Sequence, residues 1–332
     1  NKSVRDFDVV TLDRVKKIDI EEDFGVWKEY AYRRGIHGAI LSYLELRREH
    51  FYRVEATADG LQFVTARGWE DLSELMQVYE SLGIPVDRQV VEQYLQLPQV
   101  ASDFANYLQL YDKYKQVYRV DELLSGTWEP VRAAELRDAP FDEKLGVLGL
   151  LLSRLADGAR SAYRLDALTD ALHADLLCIR EGESSLAALA DEKRAALTAK
   201  RGSASEKDAL FAASREVERL DSYRQTIALE KVPENEQFDR LKALFSADVD
   251  ARAAAVDKTD AELANAFAFL DAAIPDSQEL VLFATELTAN WFISWFIQNF
   301  GCEAYFAHNK RLLFDDTQKQ LLHDIEQAKN EE

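Results

Sequence analysis

The sequence predicts an all-α, mainly helical fold, and three observations carry that expectation. Prolines and glycines are scarce, 6 and 13 in 332 residues, so few positions interrupt a helix. Apolar residues recur at helical spacing along most of the chain. Hydrophobic content of 47% is enough for a real core, while 30% charged residues leave wide solvated faces. A chain of this length suggests two domains, here a helical domain with a short β element and a helical-bundle extension.

The elements come in this order along the chain. Residues 1–20 end in an alternating pattern, Val15, Ile18 and Ile20, that reads as a strand. Residues 21–125 read as one helical domain. Asp23 caps its first helix, which carries Phe24, Trp27, Tyr30 and Ala31 on one face and stops at Gly35. A second helix carries Ile40, Leu41, Leu44 and Leu46. A turn at Asp59-Gly60 and a strand-like run, Leu61 to Val64, lead into a helix that opens at Thr65. That helix runs through Leu72, Leu75, Met76 and Tyr79 and ends near Gly83. Asp87 caps the next helix, and Pro98 opens the one after it, with Val100, Phe104, Tyr107, Leu108 and Tyr111.

Residues 126–140 read as a linker, because Gly126, Pro130 and Pro140 break the periodicity. Residues 141–332 read as the extension. One or two amphipathic helices fill 141–178. An antiparallel helical hairpin is expected near 184–231. Leu186, Leu189 and Leu197 form one stripe, Leu210, Val217, Leu220 and Ile227 the other, and the turn falls at Arg201 to Ser205. Such seams suit a short, irregular coiled coil. The last hundred residues read as four helices, with breaks near Asp257, Pro275-Asp276 and Gly301. The run from Leu280 to Phe300 has the length and apolarity of a membrane span. It also holds Glu286, Asn290 and Gln298, and a carboxylate in mid-span is costly in lipid. The run is therefore expected to be a buried core helix, and no membrane span is expected. No internal repeat stands out.

The net charge is −20. Residues 1–125 carry 16 Lys+Arg against 22 Asp+Glu, a net of −6, and the remaining 207 carry 24 against 38, a net of −14. Nucleic-acid binding needs clustered cations, so this balance opposes it. Cys178 and Cys302 lie far apart without CxxC spacing, which argues against a zinc site and a disulfide framework and suits a cytoplasmic location. The chain starts Asn1-Lys2-Ser3-Val4, without methionine or an apolar signal core, and reads as a cut inside a longer protein.

The chemistry rests on one stretch, Thr65-Ala66-Arg67-Gly68-Trp69-Glu70. It places an arginine in the first turn of a helix, where partial positive charge already sits. A guanidinium there suits an outside anion, most simply a phosphate held together with free backbone N–H groups. The competing reading is an ordinary surface arginine. No G-x-x-x-x-G-K-[ST], H-E-x-x-H or G-x-S-x-G occurs. The five histidines, His37, His50, His173, His308 and His323, lack partners at ligand spacing, so no metal site is expected. Taken alone, the chain carries no catalytic set.

Two short motifs resemble a known family. Thr11-Leu12-Asp13-Arg14-Val15 resembles the "LDRF" segment near the end of the core domain of AAA+ ATPases. Thr65-Ala66-Arg67-Gly68-Trp69 resembles the "TPRSW" segment that begins a late lid helix in the MoxR branch. The stretch from Asn1 to Asp8 is similar to the segment just after that branch's sensor-1 loop, and the run from Tyr79 to Tyr114 is similar to its C-terminal region. The resemblance covers residues 1 to about 125 and extends more weakly to the rest, which resembles the helical extension of longer members.

The resemblance implies that Arg14 is the arginine finger, reaching a neighbouring subunit's nucleotide, and that Arg67 is sensor 2, contacting the nucleotide of its own subunit. A guanidinium stabilises charge on a transferring phosphoryl group, which makes both roles physically sound. For Arg14 the competing reading is a salt bridge with Asp13 or Asp19. The resemblance also implies ATP and Mg2+ as cofactors of the full-length protein, assembly into a ring, and a protein client or a von Willebrand factor A-domain partner. Ala66 stands where proline is commoner and Val15 where phenylalanine is usual. The phosphate loop, the magnesium-binding acids and sensor 1 would lie upstream of Asn1, so the fragment is expected to be inactive alone. The alternative function is a non-enzymatic helical scaffold or adaptor.

Overall fold

The structure is a computed structural model that describes residues 21–57, 60–201 and 207–310. The expected strand before Glu21, Arg14, Asp59, the hairpin turn at 202–205 and His323 lie outside the described residues. Within them the fold is mainly α-helical with a small two-stranded sheet.

Helices α1 (Phe24–Arg34) and α2 (Gly38–Leu46) lead into strands β1 (Arg53–Thr57) and β2 (Gly60–Val64). Then come α3 (Ala66–Leu82), α4 (Arg88–Tyr94), α5 (Pro98–Tyr118), α6 (Val120–Leu124) and α7 (Pro130–Asp138). The second half is built from α8 (Phe141–Arg180), α9 (Leu186–Arg201), α10 (Lys207–Glu230), α11 (Glu234–Ala273), α12 (Gln278–Ala289) and α13 (Trp291–Phe300). The start signals act as their chemistry dictates. Asp23 Oδ1 accepts from the Val26 N–H at 2.9 Å, Asp87 Oδ1 accepts from the Val90 N–H at 2.9 Å, and Pro98 takes the first position of α5, where its missing donor costs nothing.

Four elements differ from the sequence reading. The strand-like run Leu61 to Val64 has a partner, β1, paired antiparallel with Val54 opposite Phe63 and Ala56 opposite Leu61. Residues 126–140 contain helix α7, whose Ala133 and Leu136 are buried. Pro130 opens this helix rather than preventing it, and Arg137 donates to the carbonyls of Ala272 and Ala273 at the end of α11. No break occurs at Asp257. α11 is continuous for 40 residues, because neither glycine nor proline interrupts that stretch. The Leu280 to Phe300 run is two helices, α12 and α13, bent by 84°. Asn290 makes the break: its Oδ1 accepts from the N–H groups of Phe292 and Ile293 and so starts a new helix. Among the described residues no single helix is long and apolar enough to cross a membrane.

Two cores organise the molecule. The larger draws on α1 to α7, the first half of α8, the second half of α11, and α12 and α13, from Ala31 to Tyr305. Helices α2 and α8 cross closely there. A Cβ on Gly149 would lie 2.6 Å from Ser42 Cβ, so no larger residue fits without separating the two. The smaller core joins Leu172 and Leu176 of α8, Ala190 of α9, Leu220, Tyr223 and Ile227 of α10, and Leu241 of α11. Helices α8 and α11 run antiparallel through both cores, linked between them by an ion pair of Arg252 and Asp166 at 2.5 Å. Of the seam residues read from the sequence, Leu220 and Ile227 enter this core, and Leu189, Leu197 and Val217 are buried.

Candidate functional site

The chain enters the Arg67 region along β2. Val64, the last residue of that strand, is buried, and Thr65 is extended, with φ −139° and ψ 161°. Its Oγ1 accepts the Gly68 N–H at 3.3 Å, which caps α3. Gly68 sits against the carbonyl of Tyr94, where a Cβ would lie 2.8 Å from the oxygen. That close approach ties the first turn of α3 to the end of α4. Trp69 is fully buried, edge-on to Phe104 with ring centroids 5.2 Å apart. Its Nε1–H donates to the carbonyls of His50 at 3.3 Å and Phe51 at 3.2 Å, just before β1. Cap, glycine contact and indole anchor fix this turn from three sides.

Arg67 projects from that fixed turn at the second helical position and is exposed. Among the described residues it has neither a hydrogen-bond nor an ion-pair partner. Asp71, one turn further on, is also exposed and does not take it. The neighbouring cation behaves differently: Arg34 donates through Nε at 3.1 Å and Nη2 at 2.9 Å to Glu70, which also accepts from the Tyr30 hydroxyl. Glu70 thus satisfies Arg34 and leaves Arg67 available to an external anion. Arg14 lies outside the described residues, so the two arginines are not brought together here. Among the described residues no group of three His, Cys, Asp or Glu is arranged to hold a metal ion.

A second constellation lies where α1, α2 and α12 meet. Lys28 Nζ donates to Glu45 and, at 2.6 Å, to Glu286, whose other oxygen accepts from the Tyr32 hydroxyl at 2.6 Å. Lys28 and Glu286 are buried. Burial and the Glu286 charge push the Tyr32 hydroxyl well above its ordinary pKa. The groups are shielded from solvent, so the cluster fastens residues 21–125 to the extension and fixes one packing of α12. Sequence reading noted Glu286 only as a polar residue in an apolar run. The signal for its partner was present in Lys28, which interrupts the apolar stripe of Phe24, Trp27 and Ala31.

Beside this cluster is a cavity of about 760 Å³. It lies between the α1–α2 turn, α3, α5, α8 and α12, with Met76, Leu108, Leu148 and Leu152 among its apolar walls. At its edge His37 caps α2 through Nδ1, which accepts from the Ala39 N–H, and its Nε2 faces Glu80 at 3.4 Å. His37 and Lys115 hold the Glu80 carboxyl down to about 2. No periodicity or motif marks this cavity, because its residues come from six helices, α1, α2, α3, α5, α8 and α12, and the segments between them.

No protein-family model matches the chain, and neither a curated protein nor a solved structure is similar to it.

Proposed function

We propose that this chain is the C-terminal part of a MoxR-type AAA+ ATPase: a core remnant before residue 21, a lid, and a helical extension that recognises a partner. The observation that supports it is the unpartnered Arg67 on a turn fixed by Thr65, Gly68 and Trp69. A sensing arginine needs that arrangement, since a guanidinium held in place before the phosphate arrives loses little freedom on contact. In this reading Arg67 contacts the phosphates of ATP bound with Mg2+ in the upstream core, and Arg14 serves a neighbouring subunit of a ring. ATP turnover drives remodelling or assembly of a client, or of a von Willebrand factor A-domain partner, in the cytoplasm.

The test is ATP turnover by the full-length protein carrying Arg67→Ala or Arg14→Ala. Each variant should lose at least about tenfold in kcat, the low end of what a phosphate-contacting guanidinium supplies. Unchanged turnover in both would sink the assignment. A scaffold function is favoured instead by the far halves of α8 and α11 with the α9–α10 hairpin, which share a second core of their own. The upstream reading frame separates the two. A G-x-x-x-x-G-K-[ST] there decides for the ATPase, and a start codon next to Asn1 decides for the scaffold.

A further inference from the structure

The cavity between residues 21–125 and the extension has the size of a small-ligand site, about 760 Å³ with largely apolar walls. Its polar groups leave an uneven charge balance. Each cation on the wall is engaged. Lys115 pairs with Glu80, Arg154 pairs with Asp121 at 2.6 Å, and Arg160 donates to the Arg33 carbonyl while lying over the Phe292 ring. Two carboxylates on the wall, Asp112 of α5 and Asp157 of α8, have no hydrogen-bond or ion-pair partner among the described residues. Both are exposed, and burial raises both carboxyls above their ordinary pKa against the opposing charges of nearby cations, Lys115 and His37 at Asp112, Arg154 and Arg160 at Asp157, none of which is hydrogen-bonded to them.

An independent feature lies on the α12–α13 wall. Asn290 is wholly buried, and its Oδ1 is occupied by the N–H groups of Phe292 and Ile293. That pairing fixes the orientation of the amide and leaves Nδ2, a buried donor, without a protein partner. A buried donor without an acceptor is costly, and an acceptor brought to it would relieve that cost.

We propose that this cavity binds a primary ammonium group on an aliphatic stem that also carries a carbonyl. Asp112 and Asp157 receive the ammonium, the leucine-rich wall covers the stem, and Asn290 donates to the carbonyl. Lysine has this chemistry, either as the free amino acid or as a side chain within a peptide. The inference does not depend on the ATPase reading, and its test needs no nucleotide.

The experiment is titration calorimetry of the whole chain with two probes, free L-lysine and Nα-acetyl-lysine methylamide. Saturable binding of at least one probe is expected with Kd near or below about 1 mM, and the tighter probe identifies the source. The surface variant Asp112→Asn/Asp157→Asn, which should fold normally, is expected to weaken that binding at least about tenfold by removing both charge-assisted contacts. Nα-acetyl-norleucine methylamide, which keeps the stem and carbonyl without the amine, should not bind. Absence of binding by both lysine probes, or equal affinity of the wild type and the double variant, would overturn the proposal.

Discussion

Replacing Asp175 with asparagine isolates one buried charge in the smaller core. Asp175 sits on α8 with its side chain 4% exposed, 2.9 Å from Lys193 Nζ of α9. The same ammonium lies 2.6 Å from Glu216 of α10, so one cation serves two carboxylates and the three groups come from three helices. Burial dominates at this site. It outweighs Lys193 and, helped by the Glu216 charge, raises the Asp175 carboxyl from 3.8 to about 6. A carboxyl raised in the folded state binds its proton more tightly there than in the unfolded chain. Its contribution to stability therefore falls as pH rises from 3.8 to about 6. Over the whole window the loss is at most about 3 kcal/mol, at about 1.36 kcal/mol per unit. The protein is least soluble near its isoelectric point of about 4.8, so the accessible part of the window begins just above it. Between about pH 5.3 and pH 7 the linkage relation leaves roughly 1 kcal/mol. Urea unfolding followed by far-UV circular dichroism, on the wild type and on Asp175→Asn, measures it by difference. The variant should gain about 1 kcal/mol relative to the wild type on going from the lower pH to the higher. A difference that stays constant with pH would refute the account of Asp175 as a carboxyl held up by burial.

Three further outcomes are expected from the packing. Trp69→Phe removes the donor shared by the His50 and Phe51 carbonyls and leaves a void beside Phe104. It should cost about 1–3 kcal/mol in thermal unfolding and, under the ATPase proposal, lower turnover in the same direction as Arg67→Ala. Lys28→Met strands two carboxylates and should cost about 3–5 kcal/mol, while Lys28→Met/Glu286→Gln, measured by the same denaturation, should recover part of that loss. Asn290→Ala should cost about 0.5–2 kcal/mol through the lost cap, and helical content by circular dichroism should fall with it.

The elements that were legible in the sequence are those whose signals are local. Asp23, Asp87 and Pro98 start helices because capping and a missing donor act within one turn. Leu189, Val217 and Leu220 announced the hairpin by spacing alone. The elements that were misread depend on distant partners or on residues with two uses. Pro130 breaks a helix in its interior but opens one at its first position, and nothing nearby told which applied. Asp257 and Asn290 are both short polar residues. Only Asn290 has its oxygen over the N–H groups of a new helix, and that depends on how α13 packs. Strand β1 has little β character of its own and exists through its pairing with β2. The candidate site divides in the same way. The exposed Arg67 was visible as a motif, whereas the Lys28, Glu45 and Glu286 cluster draws on residues up to 258 positions apart.

The continuity of α8 has a mechanical consequence. Its 40 residues make a rod about 60 Å long, with one half set in the larger core and the other carrying the α9–α10 hairpin. α11 runs back alongside it, so the pair resists bending as a doubled beam does. A rotation of roughly 10° at the seated end sweeps the far end through roughly 10 Å, by the rise of 1.5 Å per residue. Any rotation of the larger core as a whole is thereby amplified into a stroke at the far end of the rod, with no additional hinge required.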